Sequence, residues 1–175
     1  DLSEATTQNV EAAVVEGRVD IGIFFGPVRN TELATFDYHR DSLCLVVPRG
    51  HALARRKSVR FADTLDCDFH ALGRSSSIVQ RLMAESGGRL KTRIHVQSSD
   101  AMCRMVGAGL GVGVCPREAA RSYRRAEDIQ PVELDEPWAQ RQLLLGVRSG
   151  EAGLSGAARL FLAHCRESAA RAGGR

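Results

Sequence analysis

The sequence predicts an α/β fold, and three observations support this prediction. The chain has 175 residues, enough for one compact domain or two small lobes. Its composition, 43% hydrophobic and 26% charged, is that of a globular protein and argues against disorder, collagen-like repeats and coiled coil. Segments typical of strands and of helices alternate along the chain, which favours a largely parallel sheet.

Five segments have the apolar spacing of amphipathic helices. The first is followed by Gly17, a residue type that commonly ends helices. Ser99 is placed to cap the third, and Pro116 is expected in the first turn of the fourth. The predicted helices are 6–16, 75–86, 99–108, 116–125 and 154–170.

Eight further segments, apolar or alternating, predict strands bounded by turn residues. Gly26–Pro27 ends the first, and 48–50 is a turn after the third. The predicted strands are 19–25, 35–40, 42–47, 68–72, 93–97, 110–114, 130–134 and 142–147. The strands 42–47 and 142–147 frame a middle section, as in a chain that leaves one lobe, builds a second and returns.

Charge and cysteine usage exclude several classes. The net charge is +3 and the basic residues are scattered, so nucleic-acid binding by this chain alone is not predicted. The run 55–57 is interpreted as a solvated surface. No apolar run reaches the roughly 20 residues of a membrane helix, and the polar start has no signal-peptide pattern. Five cysteines without a CxxC pair indicate core thiols of a cytoplasmic protein.

Four glycines between Gly107 and Gly113 suggest a nucleotide-binding loop, but their order argues against it. A dinucleotide loop follows a strand and opens a helix, whereas here a helix comes first and a strand follows. We interpret the motif as a helix stop followed by a strand whose backbone packs closely against a neighbour.

Two serine-rich segments precede predicted helices: Arg74-Ser75-Ser76-Ser77 and Ser98-Ser99-Asp100. Hydroxyls and free N–H groups at a helix start attract anions, although capping alone, about 1 kcal/mol, also explains such residues. Both segments follow short strands, and strand ends line clefts in open α/β sheets. Arg74 adds donors suited to a carboxylate.

Catalytic and metal sites are poorly supported. The chain has no G-x-S-x-G motif, and no base can be assigned to Cys115. Cys67 and His70 have a ligand-like spacing, but no second pair completes a zinc site.

Several pieces, in order, make the sequence similar to the effector-binding domain of LysR-type transcriptional regulators. The pieces are 15–23, 42–54, 97–99 with 106–116, 138–141 with 143–145, and 157–162. The resemblance implies a two-lobed, periplasmic-binding-protein-like (type 2) α/β fold. One lobe would hold 1–41 with 143–175, and the other 42–142. The resemblance also implies that the first strand and helix of lobe one, and an N-terminal helix-turn-helix domain, are absent from this sequence.

The resemblance places candidate effector contacts at the ends of predicted strands. They are Phe25, Gly26, Arg74, Ser75, Ser76, Ser77, Ser98, Ser99, Cys115 and Pro116. A peroxide-sensing branch of the family has a reactive cysteine in the segment matching 73–77. Here that segment holds Arg and Ser, which argues against redox sensing by that route.

The resulting hypothesis is a non-enzymatic effector-sensing domain of a bacterial transcriptional regulator. It would bind a small, anionic effector in the cleft between the lobes and need no cofactor or metal. The expected partners are DNA, through the absent domain, and further copies in a homodimer or homotetramer; the location would be cytoplasmic, with no membrane contact. Two alternatives stay open: a transport-type solute-binding protein, and a small α/β hydrolase.

Overall fold

The computed structural model describes residues 2–28, 30–148 and 153–173. The chain divides into two compact units. Unit 1 comprises Asp1–Arg40 and Arg141–Arg175, and unit 2 comprises Asp41–Gln140. The chain passes between the units at 40–41 and at 140–141, and both positions are in extended strands.

All five predicted helices are present, with adjusted ends. They are α1 (Thr7–Val15), α2 (Ser77–Glu85), α3 (Ser99–Gly107), α4 (Arg117–Tyr123) and α5 (Gly156–Gly173). Helices α1, α2, α4 and α5 begin one or two residues later than predicted, and the cap of α3 differs from the expected one. Helix α2 begins at Ser77 rather than Ser75, because Ser76 is its extended N-cap. Ser98, not Ser99, caps α3, and Pro116 is the residue before α4 rather than part of its first turn.

The strands agree less closely with the prediction. They are β1 (Gly22–Phe25), β2 (Leu33–Pro48), β3 (Ser58–Val59), β4 (Phe69–Leu72), β5 (Thr92–Val96), β6 (Val112–Pro116), β7 (Ile129–Leu134) and β8 (Gln140–Arg148). Short 3-10 helices cover Ala52–Arg55, Phe61–Thr64 and Pro137–Ala139. The predicted strands 35–40 and 42–47 are one strand, β2, because the polar residues between them continue the extended backbone without a turn.

The expected largely parallel sheet is only partly right: among the described residues, unit 2 has three parallel and two antiparallel pairings, and β1 is antiparallel to β8 in unit 1. The strand order in unit 2 is β3-β7-β2-β6-β4-β5. Strands β4, β5 and β6 are parallel, as strand–helix alternation predicts. Strand β2, however, runs antiparallel to both of its neighbours in this unit, β6 and β7. It enters from the other unit rather than through a strand–helix–strand connection, so alternation does not govern its direction.

Successive side chains of β2 point to opposite faces of the sheet, which gives unit 2 two apolar layers. Leu43, Leu45 and Val47 face a cluster that includes α2 and the edge-to-face pair Phe61 and Trp138, whose centroids are 5.5 Å apart. Cys44 and Val46 face the opposite layer under α3 and α4, with Met102, Cys103, Val106, Cys115, Ala120 and Ile129. One strand thus supplies both layers.

Unit 1 is built in the same way around β1, β8 and β2, in that order. Strand β1 is antiparallel to β8, with Phe24 opposite Leu144. Helix α1 covers the face bearing Phe24, while α5 packs on the opposite face against Leu145 and Val147. Within the described residues, no helix is long and apolar enough to span a bilayer.

The glycine motif is a tight helix stop, as predicted, not a nucleotide loop. A Cβ on Gly107 would overlap the carbonyl oxygen of Glu127, so the end of α3 packs directly against backbone. Gly109 has φ +79°, and Gly111 has φ +150° with its Cα beside Asp68 and His70. These glycines bring β6 close to β4.

His70 is the main polar anomaly of the unit 2 core. Its side chain is 1% exposed, and neither ring nitrogen has a hydrogen-bond partner among the described residues. Thr64, equally buried, donates from its hydroxyl to the carbonyl oxygen of Phe61 at 2.7 Å. The Thr64 hydroxyl therefore has a hydrogen-bond partner, whereas the His70 ring has none among the described residues.

We predict opposite effects for the two apolar replacements. His70→Leu removes two desolvated nitrogens and should raise the free energy of unfolding by about 1 kcal/mol. Thr64→Val leaves the Phe61 carbonyl without its donor and should lower it by about 1 kcal/mol. Urea unfolding followed by circular dichroism measures both. A His70→Leu chain less stable than the parent would show that the imidazole has a stabilising partner.

Candidate functional site

Three strand ends meet at one edge of unit 2. Leu72 of β4 lies opposite Val96 of β5, and Phe69 of β4 lies opposite Val112 of β6. Because the three strands are parallel, their carboxyl ends share an edge, and α2, α3 and α4 begin just beyond it. This edge, which we call the serine edge, therefore holds both serine-rich segments and Pro116.

The segment after β4 contains Arg74 and the cap of α2. The Ser76 hydroxyl accepts a hydrogen bond from the N–H of Ile78 at 3.3 Å, and the Ser76 N–H donates to the Gly73 carbonyl at 2.8 Å. Arg74, Ser75 and Ser77 are exposed. Among the described residues, the Arg74 side chain has no acidic partner. A guanidinium thus stands exposed beside a helix N-terminus.

The segment after β5 is capped by Ser98, whose hydroxyl accepts from the N–H of Ala101 at 3.2 Å. Ser99 is then the first helical residue and is half-buried, so its hydroxyl is not the one used in capping. The expected order of these two serines is reversed, since the extended backbone at Ser98 (φ −142°, ψ 158°) suits the cap.

The two segments are connected by contacts that sequence reasoning missed. His95 Nδ1 lies 3.0 Å from the carbonyl oxygen of Leu72, which joins β5 to the end of β4. A Cβ on Gly73 would be 3.8 Å from Oε1 of Gln97. Alternation along the strand predicts that His95 and Gln97 lie on the same side of β5. That both lie beside the end of β4 follows only from the register between the two strands.

Cys115 and Pro116 end β6 at the serine edge but differ in exposure. Pro116 is half-buried and pairs with Leu43, close to Asp41, where unit 2 begins. Cys115 is fully buried. Hydrogen bonds to the thiols of Cys103 and Cys44, together with burial, raise the pKa of Cys115 above its ordinary value. Because the thiol is fully buried, it is poorly placed to attack a substrate, which argues against Cys115 as a catalytic nucleophile.

Unit 1 holds the other two candidates, Phe25 and Gly26, at the end of β1. The Gly26 N–H donates to the Gln142 carbonyl at 3.0 Å, which ties this end to the start of β8. The Arg141 guanidinium lies 3.8 Å from the centre of the half-buried Phe25 ring. Gln142 Nε2 also donates to the His39 carbonyl of β2 at 3.3 Å. Arg141 is thus a further candidate contact, which the sequence pattern did not indicate.

The serine edge carries groups that are suited to an anion, whereas metal binding has no support in the described residues. There, no group of three or more His, Cys, Asp or Glu side chains could hold a metal ion. The starts of α2 and α3 supply N–H groups and hydroxyls, and Arg74 supplies a positive charge. The acidic Asp100 in the first turn of α3 pairs with Arg104 at 3.1 Å and so is partly neutralised.

The capping geometry predicts different roles for two adjacent serines. Ser98→Ala removes the acceptor for the Ala101 N–H and should lower the free energy of unfolding by about 1 kcal/mol. Ser99→Ala leaves the cap in place and should change it by less than about 0.5 kcal/mol. Thermal and urea unfolding of both variants measure this. Equal losses in the two would contradict the assignment of Ser98 as the cap.

Comparison with solved structures shows the same fold in effector-binding domains. The effector-binding domain of QuiR, in complex with shikimate, matches with a TM-score of 0.77 and 19% identity, covering 95% of this chain and 79% of that one. The regulatory domain of Synechocystis CcmR, in complex with 2-PG, matches with a TM-score of 0.81 and 18% identity, covering 97% and 82%. Both identify the type 2 periplasmic-binding-protein-like architecture.

Two curated relatives are transcriptional regulators. The HTH-type regulator YwbI of Bacillus subtilis is 27% identical over 168 residues, which cover 94% of this chain and 55% of YwbI. A probable RuBisCO transcriptional regulator of Cyanidium caldarium is 25% identical over 151 residues, covering 81% and 48%. The chain therefore spans about half the length of these relatives. The family model of the LysR substrate binding domain matches residues 1–170, so this chain belongs to the LysR substrate-binding domain family.

Proposed function

We propose that this chain is the effector-sensing part of a transcriptional regulator and that the serine edge binds an anionic group of a small effector. The observation that supports this most directly is the convergence of two capped helix starts and an exposed Arg74 at the carboxyl edge of β4, β5 and β6. Backbone N–H groups would hold the anion, and the guanidinium would provide charge and direction.

Each candidate has a separate role in this proposal. Arg74 pairs with the anionic group, while Ser75, Ser77 and Ser99 offer hydroxyls and N–H groups to it. Ser76 and Ser98 hold the two helix starts in place through their caps. Pro116 forms a wall, and Cys115 contributes through its backbone because its side chain is buried. On unit 1, we propose Phe25 and Gly26 as contacts for an apolar part of the effector.

The chemistry of the compared complexes supports an organic anion. Shikimate is a carboxylate, and the fold neighbour in complex with it, QuiR, covers 95% of this chain. Since these neighbours are less than 25% identical, the chemical class rather than the compound is proposed for this chain. Binding would shift a conformational equilibrium, and a DNA-binding segment and further copies of the chain in the whole regulator would respond to it. We propose no enzymatic activity.

We predict that small carboxylates and phosphates stabilise the chain and that neutral analogues do not. A ligand at 100 times its dissociation constant stabilises the folded state by about 2.7 kcal/mol, which is readily seen as a rise in Tm. Thermal unfolding with a panel that includes shikimate and 2-phosphoglycolate measures this rise. Added salt should weaken it, because the contact is electrostatic.

Two variants test whether the anion binds at the serine edge or is only attracted by positive charge elsewhere on the surface. Arg74→Ala combined with Ser99→Ala should abolish the rise in Tm produced by a stabilising anion. Arg55→Ala removes an exposed arginine from the 3-10 helix Ala52–Arg55 and should keep it. A rise that survives in the double variant, or that neutral ligands alone produce, would contradict the proposed site.

A further inference from the structure

His51 precedes the 3-10 helix Ala52–Arg55 of unit 2 and is its N-cap. Its backbone is extended, with φ −69° and ψ 147°, and its ring atom Nδ1 accepts a hydrogen bond from the N–H of Leu53 at 3.2 Å. A ring nitrogen accepts a hydrogen bond only while it carries no proton. This cap therefore requires a neutral imidazole whose proton is on Nε2.

The cap belongs to a segment that covers part of the unit 2 core. Leu53 and Ala54 pack against the apolar layer that contains Phe61 and Trp138. The N–H of Ala54 donates to the carbonyl oxygen of His51 at 2.9 Å, and the chain then continues into β3, which pairs with β7. The hydrogen bond from the Leu53 N–H thus helps to hold the segment 51–57 on the core.

His95 has the opposite hydrogen-bond role. Its Nδ1 lies 3.0 Å from the carbonyl oxygen of Leu72, which can only accept, so this nitrogen carries the proton. A second proton, on Nε2, leaves that hydrogen bond in place. Protonation therefore removes the hydrogen bond of the His51 ring and keeps that of the His95 ring, which makes His95 an internal comparison.

The charged groups around His51 do not offer its ring an ion pair. Arg49, two residues earlier, pairs with Asp128 of the turn before β7 at 2.7 Å. Arg55 and the two cations that follow it add positive charge to the same segment. Glu133, the charged residue of β7, pairs with an arginine of α4 at 3.7 Å. Among the described residues the His51 ring is paired with no carboxylate, so no existing ion pair would replace a lost cap.

We propose that His51 is a pH-sensitive cap, which holds the segment 51–57 only while its imidazole is neutral. Histidine is the side chain whose charge ordinarily changes between pH 5 and 8. Acidification gives Nδ1 a proton, and two N–H donors then face each other in place of one hydrogen bond. Because the cap needs the neutral ring, its stabilisation of the folded chain is present at the upper end of this range and is lost as the pH falls.

Nuclear magnetic resonance of the histidine ring nitrogens tests the assignment in the unmodified chain. Near the upper end of the range, about pH 8, His51 should be the Nε2–H tautomer and His95 the Nδ1–H tautomer. On acidification to about pH 5, the amide resonance of Leu53 should shift in step with the protonation of His51. The protection of this amide against hydrogen exchange, corrected for the intrinsic rate, should fall about fivefold, as for the loss of a typical cap.

Three variants separate the cap from other effects of pH. His51→Asn attaches Oδ1 to Cγ, as Nδ1 is attached in histidine, and this oxygen accepts from the Leu53 N–H at every pH. His51→Ala has no acceptor, and His164→Ala removes an exposed histidine of α5 as a control. In urea unfolding at about pH 8, the equilibrium constant for unfolding should be about fivefold larger for His51→Ala than for the wild type. This difference should disappear at about pH 5.

The controls define the remaining outcomes. His51→Asn should stay about fivefold more stable than His51→Ala at both pH values, and the effect of His164→Ala should not depend on pH. An Nδ1–H tautomer at neutral His51, or a difference between wild type and His51→Ala that is equal at both pH values, would overturn the proposal. So would a His51→Asn chain that loses its advantage in acid. The ring-nitrogen spectrum of the wild type decides even if a variant fails to fold.

Discussion

Strand β2 is the physical constraint on which much of the structure depends. Its sixteen residues pass from unit 1 into unit 2, pair with β8 in the first and lie between β6 and β7 in the second. In unit 2 its side chains alternate between the two apolar layers, so a shift of one residue would exchange Leu45 with Val46 and disrupt both cores. The register of β6 against β2 then sets where Pro116, and with it the serine edge, lies.

The serine edge shows how a common local device becomes a candidate site. A capped helix start is ordinary, and a single one has no need of a ligand. In unit 2 the parallel pairing of β4, β5 and β6 brings two such starts to one edge, where Arg74 is exposed and without an acidic partner among the described residues. The anion preference proposed for the edge therefore comes from the arrangement of elements, not from any one serine.

The core layer under α3 and α4 is built from the same elements that form that edge. Met102 and Cys103 are consecutive buried residues of α3, and Cys115 directly precedes Pro116. The packing that positions α3 and the end of β6 in this layer thus also positions the serine edge.

Local patterns in the sequence by themselves determined the five helices, most strands and the glycine stop after α3, because these follow from apolar periodicity and residue-specific backbone preferences. They also yielded the proposal that Arg74 and the two serine-rich segments bind an anion. Only the tertiary structure decided that β2 is one strand antiparallel to its neighbours in unit 2, and that Arg141 stacks on Phe25. The physical reason is range: strand direction, register and side-chain contacts depend on residues far apart in the chain, and no local pattern records them.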